Sequence, residues 1–66
     1  MNVQINGENH VLPEPLPLLE LLQKLNWHPR LVAIELNGEI LHRQFWAQTI
    51  IQDADTLEVV TIVGGG

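Results

Sequence analysis

Two Asn-Gly dipeptides, Asn6-Gly7 and Asn37-Gly38, each interrupt a run of alternating apolar and polar residues. An Asn-Gly pair supplies the positive-φ backbone of a two-residue hairpin turn, so each joins two antiparallel strands. Around the first, Met1, Val3 and Ile5 fall on one face and Asn2, Gln4 and Asn6 on the other, while "HVL" at 10–12 returns as a short strand. Around the second, Val32, Ile34 and Leu36 alternate with Leu31, Ala33 and Glu35, and Glu39-Ile40-Leu41 returns. Strands patterned this way bury one face, and that face needs a cover.

The stretch between the hairpins supplies it. Pro13, Pro15 and Pro17 have no N–H for a ladder and stop the sheet. Pro17 fits the first helical position, where a missing donor is harmless. Leu18, Leu21, Leu22 and Leu25 follow at the i, i+3, i+4, i+7 spacing of one helix face, and Asn26 with Pro29 ends the helix. Farther on, "RQFWAQTII" predicts a helical turn seating Phe45 or Trp46 on the core, "QDAD" a turn, and "TLEVVTIV" a last strand. The order implies an α+β domain in two layers, a mixed sheet of four to five strands packed on one main helix plus a short helical turn. Residues 1–63 make a single domain, and residues 64–66 a flexible glycine tail.

Charge narrows the partners. Eight acids against three bases give a net charge of −5, which opposes binding to nucleic acid or an anionic membrane and suits a protein with a basic docking face. No apolar run approaches the ~18 residues of a membrane span, and no basic segment leads into an apolar one at the start. Cysteine is absent, which excludes disulfides and thiolate metal sites and leaves no sign of an oxidising compartment. The expectation is a cytoplasmic protein, monomeric when free. His10, His28 and His42 match no ligand spacing, and Asp53 with Asp55 lacks the glycine and closing glutamate of a calcium loop. No metal, bound cofactor or catalytic set is expected, so the chain reads as a non-enzyme. Trp27 is expected to cover a core edge.

The last strand can be oriented by its own charge. Glu58 is not buried without a partner, so it faces water and Leu57, Val59 and Thr61 face the helix. Val60 and Ile62 then lie on the open face beside Glu58, with Leu31 and Ala33 on the same side if the two strands are neighbours. These three residues of the last strand, Glu58, Val60 and Ile62, are the candidate docking group. They precede Gly64, Gly65 and Gly66. Glycine has no Cβ to strike the walls of a narrow channel, so such an end suits threading into a partner's site.

"VAIELNGEIL", then Arg43, then Trp46-Ala47 and "QDADTLEVVTIVGGG", resemble the bacterial thiamine-biosynthesis sulfur carrier proteins (the ThiS family), which are ubiquitin-like β-grasp domains. "LLELLQKL" fits them too, so the resemblance spans nearly the whole chain. It implies that a ThiF-type, E1-like adenylyltransferase consumes ATP to adenylate the Gly66 carboxylate. A sulfur-donor enzyme would then lead to a C-terminal thiocarboxylate, whose sulfur passes to thiazole synthase for the thiazole moiety of thiamine. By that resemblance Gly66 is the modified residue, and Gly64 and Gly65 thread the tail. There are departures: His42 stands where the family usually has proline, Ala54 replaces a glycine, and Pro17 stands where threonine is common. An alanine at 54 is destabilising if that position needs positive φ. Other readings fit the same features: a carrier for another pathway, of the molybdopterin synthase small-subunit type, a ubiquitin-like protein modifier, or a binding module whose tail is inert.

Overall fold

The computed structural model describes residues 1–62, so the domain limit at 63 and Gly64, Gly65 and Gly66 lie outside the described residues. Strands β1 (Asn2–Ile5) and β2 (Glu8–Val11) form the first hairpin, and β4 (Val32–Leu36) and β5 (Glu39–Ile40) the second. Both turns are built as their Asn-Gly pairs require, with φ of 52° and 82° at Asn6 and Gly7 and of 53° and 85° at Asn37 and Gly38. The last strand, β7 (Thr56–Thr61), runs between the hairpins, giving the sheet order β2-β1-β7-β4-β5. It is parallel to β1 and antiparallel to β4, so the sheet is mixed as expected.

Both hairpin asparagines also grip β7. The Asn6 side chain accepts from the Val59 N–H at 2.7 Å and donates to the Val59 carbonyl at 3.2 Å, standing in for one more peptide of the parallel ladder. Asn37 accepts from the Thr56 N–H at 2.9 Å through its side chain and donates its backbone N–H to the Thr56 carbonyl at 2.7 Å. At Asn6 the carboxamide alone supplies both the donor and the acceptor to Val59, whereas at Asn37 the side chain accepts and the backbone donates.

The helix α1 (Leu18–Lys24) buries Leu18, Leu21 and Leu22 against the sheet. Its start differs from expectation. Pro17 is not the first helical residue but the extended N-cap, at φ −60° and ψ 143°, and makes no side-chain cap bond. Leu16–Pro17 (β3) pairs instead with Ile50–Ile51 (β6) in a separate two-stranded ladder. Proline is tolerated there because it sits in a two-residue piece, and the Leu18 N–H continues the contact by donating to the Thr49 carbonyl at 2.9 Å. The C-terminus ends as Asn26 implies. Asn26 has φ 63°, its N–H donates to the Gln23 carbonyl, and the Trp27 N–H donates to the Leu22 carbonyl, which together form a Schellman cap. Leu25 is the half-buried cap residue rather than part of the helix. Pro29 opens a short 3₁₀ turn, Pro29–Leu31, that leads into β4.

A 3₁₀ helix over Arg43–Gln48 seats Trp46 in the core, 4% exposed, and leaves Phe45 outside at 45%. The core is then Val3, Ile5, Val32, Ile34, Leu57 and Val59 from the sheet, closed by the three helix leucines, Leu16, Trp46 and Ile51. Thr61, on the helix-facing parity, is nevertheless exposed, although Val32 opposite it is buried. In the "QDAD" turn Ala54 has φ 72°, the positive value at which alanine is strained. Asp53 and Asp55 serve the backbone: Asp53 accepts from the Asn2 N–H at 2.7 Å and Asp55 from the Gln52 N–H at 2.8 Å.

Candidate functional site

The parity of β7 is as Glu58 dictates. Leu57 and Val59 are buried, whereas Glu58 is exposed, with Val60 at 60% and Ile62 at 46%. β4 is the neighbour of β7, with Ala33 opposite Val60 and Glu35 opposite Glu58. Leu31 is 55% exposed beside Ile62, whose N–H donates to the Leu31 carbonyl at 2.6 Å. The open face therefore carries an apolar group of Leu31, Ala33, Val60 and Ile62 at the end of the strand that leads to the glycines.

One further apolar residue on this face does not follow from the parity of the last strand alone. Ile40 pairs with Glu35, so it shares the open face and is 71% exposed. The sequence does hold the signal, because a two-residue turn at 37–38 sets 36 opposite 39 and 35 opposite 40. A shallow depression of about 180 Å³ runs along this edge between Ala33, Ile40, Arg43 and Ile62. Elsewhere on the open face Glu35 and Glu58 stand directly opposite each other across the ladder, an arrangement that repels unless a cation joins it.

The other candidates fall into structural roles. His28 Nδ1 accepts from the Arg30 N–H at 3.2 Å and so caps the 3₁₀ turn. Trp27 is half-buried against the core, as expected, and lines a groove of about 510 Å³ with Leu19, Gln23 and Pro29. Among the described residues no group of His, Asp and Glu could hold a metal, and no helix is long and apolar enough to cross a membrane. Arg43 is engaged by backbone carbonyls and lies 4.7 Å over the Trp46 ring, which accounts for the arginine and the tryptophan of the "R…WA" signature.

A sequence profile of the ThiS family matches residues 2–66, the whole of this architecture and the glycines beyond it. The chain belongs to the ThiS family. Its relatives place that membership in context. The ycf40 protein of Porphyra purpurea is 42% identical over 66 residues, covering 100% of this chain and 93% of its own length. Sulfur carrier protein ThiS of Escherichia coli (strain K12) is 36% identical over 47 residues, 71% of each chain. A thiazole synthase of Paramagnetospirillum magneticum is 38% identical over all 66 residues, which make up 20% of that longer protein. The crystal structure of the thiamine biosynthesis protein ThiS from Geobacter metallireducens superimposes with a TM-score of 0.85 at 36% identity, covering 100% of both chains. The ThiS β-grasp fold is thus common to this chain and a solved member of the family.

Proposed function

We propose that this ThiS-family chain is a sulfur carrier in thiamine biosynthesis, a protein co-substrate rather than a catalyst. A carboxylate is a poor electrophile and must be activated before sulfur can replace an oxygen. A separate ThiF-type, E1-like adenylyltransferase joins the Gly66 carboxylate to the α-phosphate of ATP and releases pyrophosphate. Hydrosulfide released by a donor enzyme then attacks the acyl carbon and expels AMP, so that one sulfur replaces one oxygen. The sulfur stays on Gly66 as a thiocarboxylate, and thiazole synthase receives it. No cofactor need be bound to the carrier, because ATP is consumed by its partner. The chain has no cysteine to hold sulfur itself, which leaves the terminal carboxylate.

The observation that carries this reading is the end of β7. Ile62 sits at the sheet rim with Val60 exposed behind it, two positions before Gly64. An exposed apolar pair at the root of a glycine run is what a partner would cover while taking the tail into its site. Val60 and Ile62 are the proposed anchors, and Glu58, opposite Glu35, the group that favours a basic partner residue. The match to thiazole synthase chains that contain a segment like this one supports thiazole synthase as the acceptor.

Intact-mass measurement on the protein from its native cell tests the reading. A carrier is recovered free, in part with a mass increase equal to one sulfur replacing one oxygen at the C-terminus. Recovery in isopeptide linkage to lysines of other proteins would instead establish the modifier alternative.

A further inference from the structure

The C-terminal strand ends on a turn, and one side chain holds that turn together. Arg43 Nη1 donates to the Pro29 carbonyl at 2.6 Å, and Nη2 donates to the Val32 carbonyl at 2.9 Å with a longer contact to the Arg30 carbonyl at 3.5 Å. Three of the four carbonyls from Pro29 to Val32 thus face one guanidinium. The fourth, that of Leu31, accepts from the Ile62 N–H, and Val32 pairs with Thr61 in the ladder. The guanidinium is itself fixed, lying 4.7 Å over the Trp46 ring, whose indole N–H donates to the Leu41 carbonyl at 2.9 Å. Trp46 is buried, so the platform is rigid. A planar fork that stacks and donates in several directions can serve diverging carbonyls, whereas a lysine ammonium acts as a point donor without the stack.

We propose that Arg43 is a positioning residue for the reactive end: it splints the 29–32 turn so that Leu31 holds Ile62, the last described residue before the glycines. The functional part of this proposal rests on the carrier reading. Threading a terminal glycine into a partner's site requires its root to be ordered, and a root already fixed spares that ordering at the moment of binding. Loosening it therefore weakens productive engagement while the chemistry on a seated carboxylate is unchanged. Arg43 does not touch the reacting atoms.

The test compares Arg43→Lys, Arg43→Met and the full wild-type chain, with Ile5→Val as a control that is buried in the same core but does not touch the turn. In both Arg43 variants the Ile62 amide should exchange hydrogen at least about tenfold faster, beyond any change in the β1–β2 amides, with the milder effect in lysine. In ATP–pyrophosphate exchange with the adenylyltransferase from the same organism, KM for the carrier should rise at least about tenfold and kcat should hold. Ile5→Val should lower thermal stability without moving that KM. The splint is overturned if Ile62 exchange is unchanged in Arg43→Met, or if it rises only in step with every other amide. An equal rise of KM in Ile5→Val would overturn it as well. Should wild-type protein support no pyrophosphate exchange, the carrier reading fails, while the Ile62 amide still decides whether Arg43 splints the turn.

Discussion

The two faces of β7 carry similar apolar side chains and bury them very differently. On one face Leu57 is fully buried and Val59 nearly so, packed under α1. On the other, Val60 and Ile62 are equally apolar and stay largely exposed. Burying such a side chain fully is worth about 1.5–3 kcal/mol, so a domain of this size leaves out a contribution it could use. Glu58 on the same open face prevents that side from becoming a second core. Under the proposed function the strand divides its labour: the helix face holds the fold, and the open face would serve a partner beside the glycines. The division predicts that changes on the two faces separate into stability effects and binding effects.

The largest effect is expected from the buried face. Leu22→Ala, beneath the sheet and 0% exposed, should cost about 2–5 kcal/mol in thermal or denaturant unfolding. That is a large part of the whole stability of a domain this small. A midpoint that barely moves would mean that the helix face does not hold the fold.

On the open face the effect should move from folding to association. Val60→Lys is expected to change stability by no more than about 0.5 kcal/mol. It should weaken binding to the adenylyltransferase or to thiazole synthase at least about tenfold, since a buried apolar anchor can be worth about 2 kcal/mol. Val60→Gln should keep most of the defect if apolar burial dominates over charge. Titration calorimetry beside circular dichroism separates the two outcomes. Unfolding by Val60→Lys would break the division between faces, and normal binding would reduce the exposed pair to ordinary surface.

The smallest effect sharpens the comparison from outside the sheet. Ala54, at φ 72°, touches neither the core nor the apolar open-face group, so Ala54→Gly should raise stability by about 0.5–1 kcal/mol through relief of backbone strain. Binding should be untouched. A loss of stability in the thermal midpoint would show that the turn accommodates alanine without strain.

Much of this division was legible in the residues. The Asn-Gly pairs set both hairpins, the leucine spacing set the helix face, and Glu58 alone oriented β7. The β3–β6 ladder was not legible, because a proline-rich stretch gives no alternation and its partner is two residues long. Nor could spacing choose between Phe45 and Trp46, which are adjacent. The choice follows from an indole N–H that finds the Leu41 carbonyl and a ring face that receives Arg43. Arg43 itself left no periodic trace, since its acceptors lie 11 to 14 residues upstream. Of the candidate site, Glu58, Val60 and Ile62 stand where parity put them, while Ile40 needed the hairpin register to be followed one step further.

The most direct test of the carrier reading removes Gly66 and asks for ATP–pyrophosphate exchange with the adenylyltransferase of the same organism. The glycines lie beyond the described core, so the truncated chain should keep its circular dichroism spectrum and melting midpoint. Exchange should be abolished, because the reacting carboxylate is displaced along with the residue that carries it. Undiminished exchange by the folded, truncated chain would contradict the assignment of Gly66 and, with it, the account of the open face as the dock for a reactive tail.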